Sequence, residues 1–239
     1  VAMQRVKPAE FERGIVDTTV QEEAIAPPTA SRLLEIARHK IASAAKRVGI
    51  AVKQTFAKQG KQLRRKAGGY AHAKQFKRLA RTVKRQRTIL GRLMRDVQRG
   101  VNRISQADGS GVDLSSASAM KALTLWLERA ERIRTQQRHD KHKLYALHAP
   151  EVECIGKGKA RKPYEFGVKV SLAITHKSGL IVGARSFPGN PYDGHTLAEQ
   201  LEQTNNLLQD VGTKPTTAVV DLGFRGVDEA CAPVQIIHR

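Results

Sequence analysis

Cysteine is nearly absent: Cys154 and Cys231 are the two present in 239 residues, and neither belongs to a Cys-x-x-Cys pair. A disulfide framework and a structural zinc site are therefore not expected, and a reducing cytoplasm fits best. No apolar run approaches the roughly 18 to 20 residues that cross a bilayer, so a membrane partner is not expected either. The chain opens at Val1-Ala2-Met3-Gln4-Arg5, without an initiator Met or a signal peptide's apolar core, and stops at Ile236-Ile237-His238-Arg239. The expectation is a fragment at both ends.

Acid is the more informative scarcity. There are 22 Asp and Glu against 42 Lys and Arg, a formal charge of +20. Between Ser31 and Leu147, 29 basic residues face 7 acidic ones, a net of +22, and the rest of the chain nets −2. From Ile36 to Arg95 no acidic residue occurs at all. Charge runs are usually solvated faces, but a stretch this long repels itself on compaction, and a polyanion is its natural partner. Aromatics are few (5%), with Tyr70 and Phe76 inside the basic stretch, which argues for phosphate contact over base stacking as the main interaction. Arg64, Arg65, Lys66, Lys77, Arg78, Arg81, Lys84 and Arg85 are the expected contact residues.

The basic region reads as helical. Leu33, Ile36, Ala37, Ile41, Ala44, Ala45 and Val48 recur at helical steps behind Thr29 and Ser31 as candidate N-caps. Breaks are expected at Gly49 and around Gly68-Gly69. Leu79, Val83, Leu90, Leu93, Val97, Val101 and Ile104 then continue to a turn at Asp108-Gly109-Ser110-Gly111. Met120, Leu123, Leu127, Ala130 and Ile133 form a third stripe, after Ser115 to Ser118 and around Trp126. Packing the stripes together leaves a Lys/Arg-rich outer face.

Beyond Tyr145 the texture changes to strands. Tyr164 to Ile174 and Gly179 to Phe187 read as a hairpin turning at His176-Lys177-Ser178-Gly179. Pro188-Gly189-Asn190-Pro191 breaks the second strand, and Asp193 is expected to cap a helix through Leu197, Leu201, Leu207 and Leu208 that ends near Gly212. Val234 to His238 is a last strand. Two further apolar strands each carry one acid: Gly14-Ile15-Val16-Asp17-Thr18-Thr19-Val20, and Thr217-Ala218-Val219-Val220 followed by Asp221. Without the helical stretch the order is β-β-β-α-β, in which the crossover helix brings the Asp221 strand parallel to and beside the Asp17 strand. Buried carboxylates so placed would need a cation, and a shared divalent metal compensates both. The alternative is that each aspartate ends its strand and caps the next turn.

Four ordered stretches carry a resemblance: Val16 to Glu22; Leu147-His148-Ala149-Pro150-Glu151-Val152-Glu153-Cys154-Ile155-Gly156-Lys157-Gly158-Lys159; Phe187-Pro188-Gly189-Asn190-Pro191-Tyr192-Asp193-Gly194-His195-Thr196-Leu197; and Val220-Asp221-Leu222-Gly223-Phe224-Arg225-Gly226. Together they closely resemble bacterial insertion-sequence transposases with a DDE catalytic core. The resemblance implies an α/β, ribonuclease-H-like mixed sheet in two parts, 1–30 and 148–239, interrupted by a basic helical insertion over 31–147. It also implies Asp17 and Asp221 as the first two catalytic, metal-holding acids, with the third, a Glu, on a helix beyond this chain. Two Mg²⁺ (or Mn²⁺) ions, double-stranded DNA of transposon ends and target, and a homodimer or larger assembly follow from the same likeness.

Other residues carry less. Gly156-Lys157-Gly158-Lys159 lacks P-loop spacing, and Lys157 and Lys159 are expected as a basic turn near DNA. His139, His142 and His148 do not share a helix face and are not expected to hold metal. Glu229 lies too near Asp221 in sequence to be the missing acid. Asp193 is expected as a helix cap, with a supporting role beside His195 left open.

Overall fold

The computed structural model describes residues 6–107, 114–156, 160, 162–226 and 228–239. The chain divides into two compact units, 25–150 and a second that joins 1–24 to 151–239.

The 25–150 unit contains four described helices: α1 (Ala30–Arg47), α2 (Ala57–His72), α3 (Phe76–Ala107) and α4 (Leu114–Thr135). Thr29 caps α1, its hydroxyl accepting from Arg32 N at 3.3 Å; Ser31 lies inside the helix and is buried. The helical stripes meet in one core of Leu33, Leu34, Ile41, Leu90, Leu93, Val97, Leu123 and Ile133, completed by Leu144 and Leu147 from beyond α4. Ile36 departs from the expected stripe. It is 36% exposed, and Leu34 takes the inward position.

The expected break at Gly68-Gly69 does not occur: α2 runs through both glycines and ends at His72. A glycine in a helix costs about 1 kcal/mol relative to Ala, and the packing of α2 on α1 and α3 outweighs it. Where α2 meets α1, Gly60 removes a side chain that would collide with the buried pair Glu35 and Arg38. The turn expected at Asp108 to Gly111 lies outside the described residues.

The other unit is a mixed sheet with one helix. Its strands are β1 (Arg13–Glu22), β2 (Glu153–Gly156), β3 (Tyr164–Thr175), β4 (Ile181–Phe187), β5 (Thr217–Val220) and β6 (Gln235–His238), and α5 spans Gly194–Leu207. β3 is central: β1 runs antiparallel along one edge, and β2 and β4 share the other in succession. β5 adds parallel to β1, and β6 parallel to β5. The hairpin turn falls where expected, with Gly179 at φ +65° and Gly179 N donating to Thr175 O at 3.1 Å.

Strand alternation divides the sheet's faces. Val16, Ala173, Ala218 and Val220 form a core with Leu197 and Leu201 of α5 and with Phe224. β1 comes so close to β3 that a side chain at Gly167 would overlap Gln21 O. α5 ends at Leu207, which is exposed, while Leu208 just beyond it is buried.

Candidate active site and basic surface

The β1–β5 register pairs Arg13 with Thr217, Gly14 with Ala218 and Ile15 with Val219. Two residues further along each chain stand Asp17 and Asp221. Alternation sends Asp17 to the side opposite Val16, and Asp221, in extended conformation at φ −77° and ψ 174°, follows Val220 in the same way. The two aspartates are therefore neighbours on one side of the sheet.

Each is anchored alike. Asp17 Oδ1 accepts from Thr18 N at 2.7 Å, and Asp221 Oδ1 from Gly223 N at 2.8 Å. Neither Oδ2 has a partner among the described residues. Both side chains are exposed, which corrects the expectation of buried carboxylates: no desolvation penalty here calls for a metal. The capping alternative describes Asp221, which opens a 3₁₀ turn over Leu222–Phe224. It does not describe Asp17, which lies mid-strand.

Asp193 is the larger correction. It stands at the N-cap position of α5, but its side chain makes no cap. Asp193 Oδ1 instead accepts from Lys169 Nζ at 2.6 Å and from Thr18 Oγ1 at 2.8 Å. Lys169 also donates to Pro191 O at 2.6 Å. A Cβ on Gly223 would lie 2.9 Å from Asp221 Oδ1 and 3.3 Å from Asp193 Oδ2. Asp193 thus touches the residue after Asp17 and faces Asp221 across a glycine. Lys169 and Thr18 were missed in the sequence, although the alternation that turns Ser171 and Ala173 inward assigns Lys169 to the same face. His195 is exposed and packs edge-on against Tyr192, ring centroids 5.5 Å apart.

Among the described residues, no group of three or more His, Cys, Asp or Glu is arranged to hold a metal ion. The donor chemistry of Asp17 and Asp221, charged oxygens on short arms, does fit a hard divalent cation.

In the helical unit Arg64, Arg65, Lys66, Lys77, Arg78, Arg81 and Lys84 are exposed and Arg85 is half-buried. Arg32, Lys61, Arg64 and Arg65 line an open groove of about 640 Å³ floored by Ala67, Leu79 and Val83. Lys157 and Lys159 lie outside the described residues. No helix among the described residues is long and apolar enough to cross a membrane.

Residues 130–230 match the transposase DDE domain. The match takes in most of the sheet unit, with Asp193 and Asp221. Among curated proteins, the uncharacterized protein ORF8 in the nfe locus of Rhizobium meliloti is 44% identical over 70 residues, 29% of this chain and 34% of that protein. The chain thus spans about a third of the length of the curated relative it matches. No solved structure matches the chain.

Proposed function

We propose that this chain is the DNA-binding and catalytic part of a transposase that cuts and joins transposon-end DNA on a ribonuclease-H-like core. The observation that carries the reading is the parallel β1–β5 register, which leads to Asp17 and Asp221 side by side. Four strands in antiparallel pairing, a crossover helix and two strands added in parallel support the ribonuclease-H-like assignment. Residues 1–30 and 148–239 then form the catalytic core, with 31–147 as its DNA-binding insertion. The expected setting is the cytoplasm, at the nucleoid when DNA is bound, as a dimer or larger assembly.

Asp17 and Asp221 would hold Mg²⁺ or Mn²⁺, with Thr18 N and Gly223 N orienting each carboxylate. When bound there, the metal would supply the positive charge that an in-line phosphoryl transfer needs at its attacking and leaving oxygens. Asp193, fixed by Lys169 and Thr18, holds β1 and the Asp221 turn in register. Arg64, Arg65, Lys66, Lys77, Arg78, Arg81, Lys84, Arg85, Lys157 and Lys159 neutralise phosphates.

No described residue is assigned as the family's third acid, so residues 1–239 alone are expected to bind DNA without cutting it. The assay is strand nicking and joining with Mg²⁺ or Mn²⁺ on duplex ends, comparing this chain with one extended through a Glu-bearing helix. Activity should appear in the longer chain and vanish in its Asp17→Ala and Asp221→Ala variants. Nicking by the 239 residues that is lost in Asp17→Ala would mean that another carboxylate, Asp193 first, completes the site. An inactive longer chain that still binds ends would favour a second reading, a non-catalytic regulator, which the two-carboxylate geometry also fits.

A further inference from the structure

We propose that the connection between α2 and α3 enters a groove of duplex DNA and that Phe76 wedges into a base step there. The inference rests on the DNA-binding reading above and adds a contact with bases to it. Every residue from Ala71 to Arg78 is exposed, and Phe76, the first residue of α3, is 66% exposed. A ring left this open gains by meeting an apolar or π-faced partner.

Its surroundings select that partner. Lys74, Lys77 and Arg78 lie within two residues of Phe76 in the chain, and no acid lies between Ile36 and Arg95. A second copy of the same surface is repelled, and a neutral protein face leaves these cations uncompensated. Duplex DNA supplies phosphates for the cations and flat base faces for the ring. Side chains of a helix lean toward its N-terminus, which carries the Phe76 ring toward the turn rather than back along α3.

The turn is built for this position. α1 and α2 end in the same hydrogen-bond pattern: Ile50 N donates to Ala45 O at 2.9 Å and Gly49 N to Lys46 O at 3.2 Å, while Gln75 N donates to Tyr70 O at 2.8 Å and Lys74 N to Ala71 O at 3.1 Å. Gly49 takes the left-handed position of the first at φ +73°, and Lys74 takes that of the second at φ +54°. Glycine suits that position best, so lysine there is strained and sets a cation two residues from Phe76. Arg78 braces the turn, donating to Gln75 Oε1 at 3.0 Å with its guanidinium 6.0 Å from the Tyr70 ring centre. An apolar side chain inserted this way partly unstacks a base step and kinks the duplex, most easily at TA and CA steps.

The test uses the whole chain and a mixed-sequence duplex rich in TA and CA steps. Binding is followed by fluorescence anisotropy, and unstacking by permanganate oxidation of thymines in the same samples. The native chain at saturation should make thymines hyperreactive. Phe76→Ala should bind about fivefold or more weakly, lose the hyperreactivity and keep the same salt dependence, because no phosphate contact is removed. Phe76→Trp should restore both properties. Saturated binding without reactive thymines, or reactivity unchanged in Phe76→Ala, overturns the wedge and leaves the DNA-binding reading standing. No binding at low salt overturns that reading, and the wedge with it.

Discussion

Lys169 Nζ lies 2.6 Å from Asp193 Oδ1, with 11% of the lysine side chain and 31% of the aspartate side chain exposed. The two partners are unequally placed, and their removal should be unequal too. Asp193→Ala leaves a largely buried ammonium without its counter-ion, whereas Lys169→Met leaves a carboxylate that water still reaches. Breaking a buried pair costs about 3–5 kcal/mol; the partial exposure of Asp193 brings the expected loss for Asp193→Ala to about 2 kcal/mol, and for Lys169→Met to under about 1 kcal/mol. Hydrogen exchange of β3 and α5 amides measures this locally, and equal protection in the two variants would contradict the asymmetry.

Gly223 gives a sharper test of the same corner. Its Cβ would press on Asp221 Oδ1 at 2.9 Å and Asp193 Oδ2 at 3.3 Å. Gly223→Ala should turn the Asp221 carboxylate while leaving the helical unit untouched. The expected outcome is Mn²⁺ affinity reduced about tenfold, equivalent to roughly 1.4 kcal/mol, with DNA affinity unchanged. Calorimetric titration of Mn²⁺ beside DNA anisotropy measures both.

All of the sheet but the four-residue β2 was legible, because a period of two survives in its residues: Val16 and Val20 go inward and Asp17 outward, and the β-β-β-α-β order leaves β5 one place to pair. The Asp193 network was not legible, because its partners Thr18 and Lys169 are 175 and 24 residues away and local rules saw only a capping position. Gly68-Gly69 misled for the opposite reason. Local propensity predicts a break there, and only packing, which appears once the chain has folded, shows that α2 continues.

The glycines of α2 differ in what a side chain at each would meet. At Gly68 and Gly69 a Cβ would meet nothing within 4 Å, while at Gly60 it would overlap Glu35 Oε2 and lie 2.7 Å from Arg38 Nε. Gly68→Ala and Gly69→Ala should each stabilise the helical unit by about 0.5–1 kcal/mol. Gly60→Ala should destabilise it by about 1–3 kcal/mol through overpacking against the buried ion pair. Urea unfolding read by Trp126, which packs against the same core, would refute this if all three moved together.

Asp96 carries a pH dependence. Its carboxylate is held below its usual range chiefly by the Lys53 N–H at 2.7 Å, against the opposing effect of burial and with further help from Arg99. A depressed carboxylate contributes stability that is full above its unfolded value near pH 4 and is lost as pH falls through the lower folded value. Asp96→Ala should cost about 1–2 kcal/mol at neutral pH and progressively less below about pH 4. Melts of both chains across that range should converge; parallel curves would assign the loss to packing instead.

The basic surface predicts how binding responds to salt. Each phosphate neutralised on duplex DNA releases condensed counter-ions and adds about −0.9 to the slope of log affinity against log salt. Arg64, Arg65 and Lys66 are exposed on consecutive positions of α2, so they point in different directions and need not all reach one duplex. Arg64 and Arg65 line the groove floored by Ala67, Leu79 and Val83, and Lys66 does not. Replacing Arg64 and Arg65 by Ala should therefore make the slope shallower by roughly 1.8, and replacing Lys66 as well should add at most one further contact's worth, about 0.9. Because phosphates carry no sequence information, affinity should fall by the same factor on every duplex tested. Anisotropy titrations across salt concentrations on two unrelated sequences measure slope and factor together. A native slope near zero would remove the phosphate-contact surface, and a loss confined to one of the two duplexes would mean that these arginines read bases.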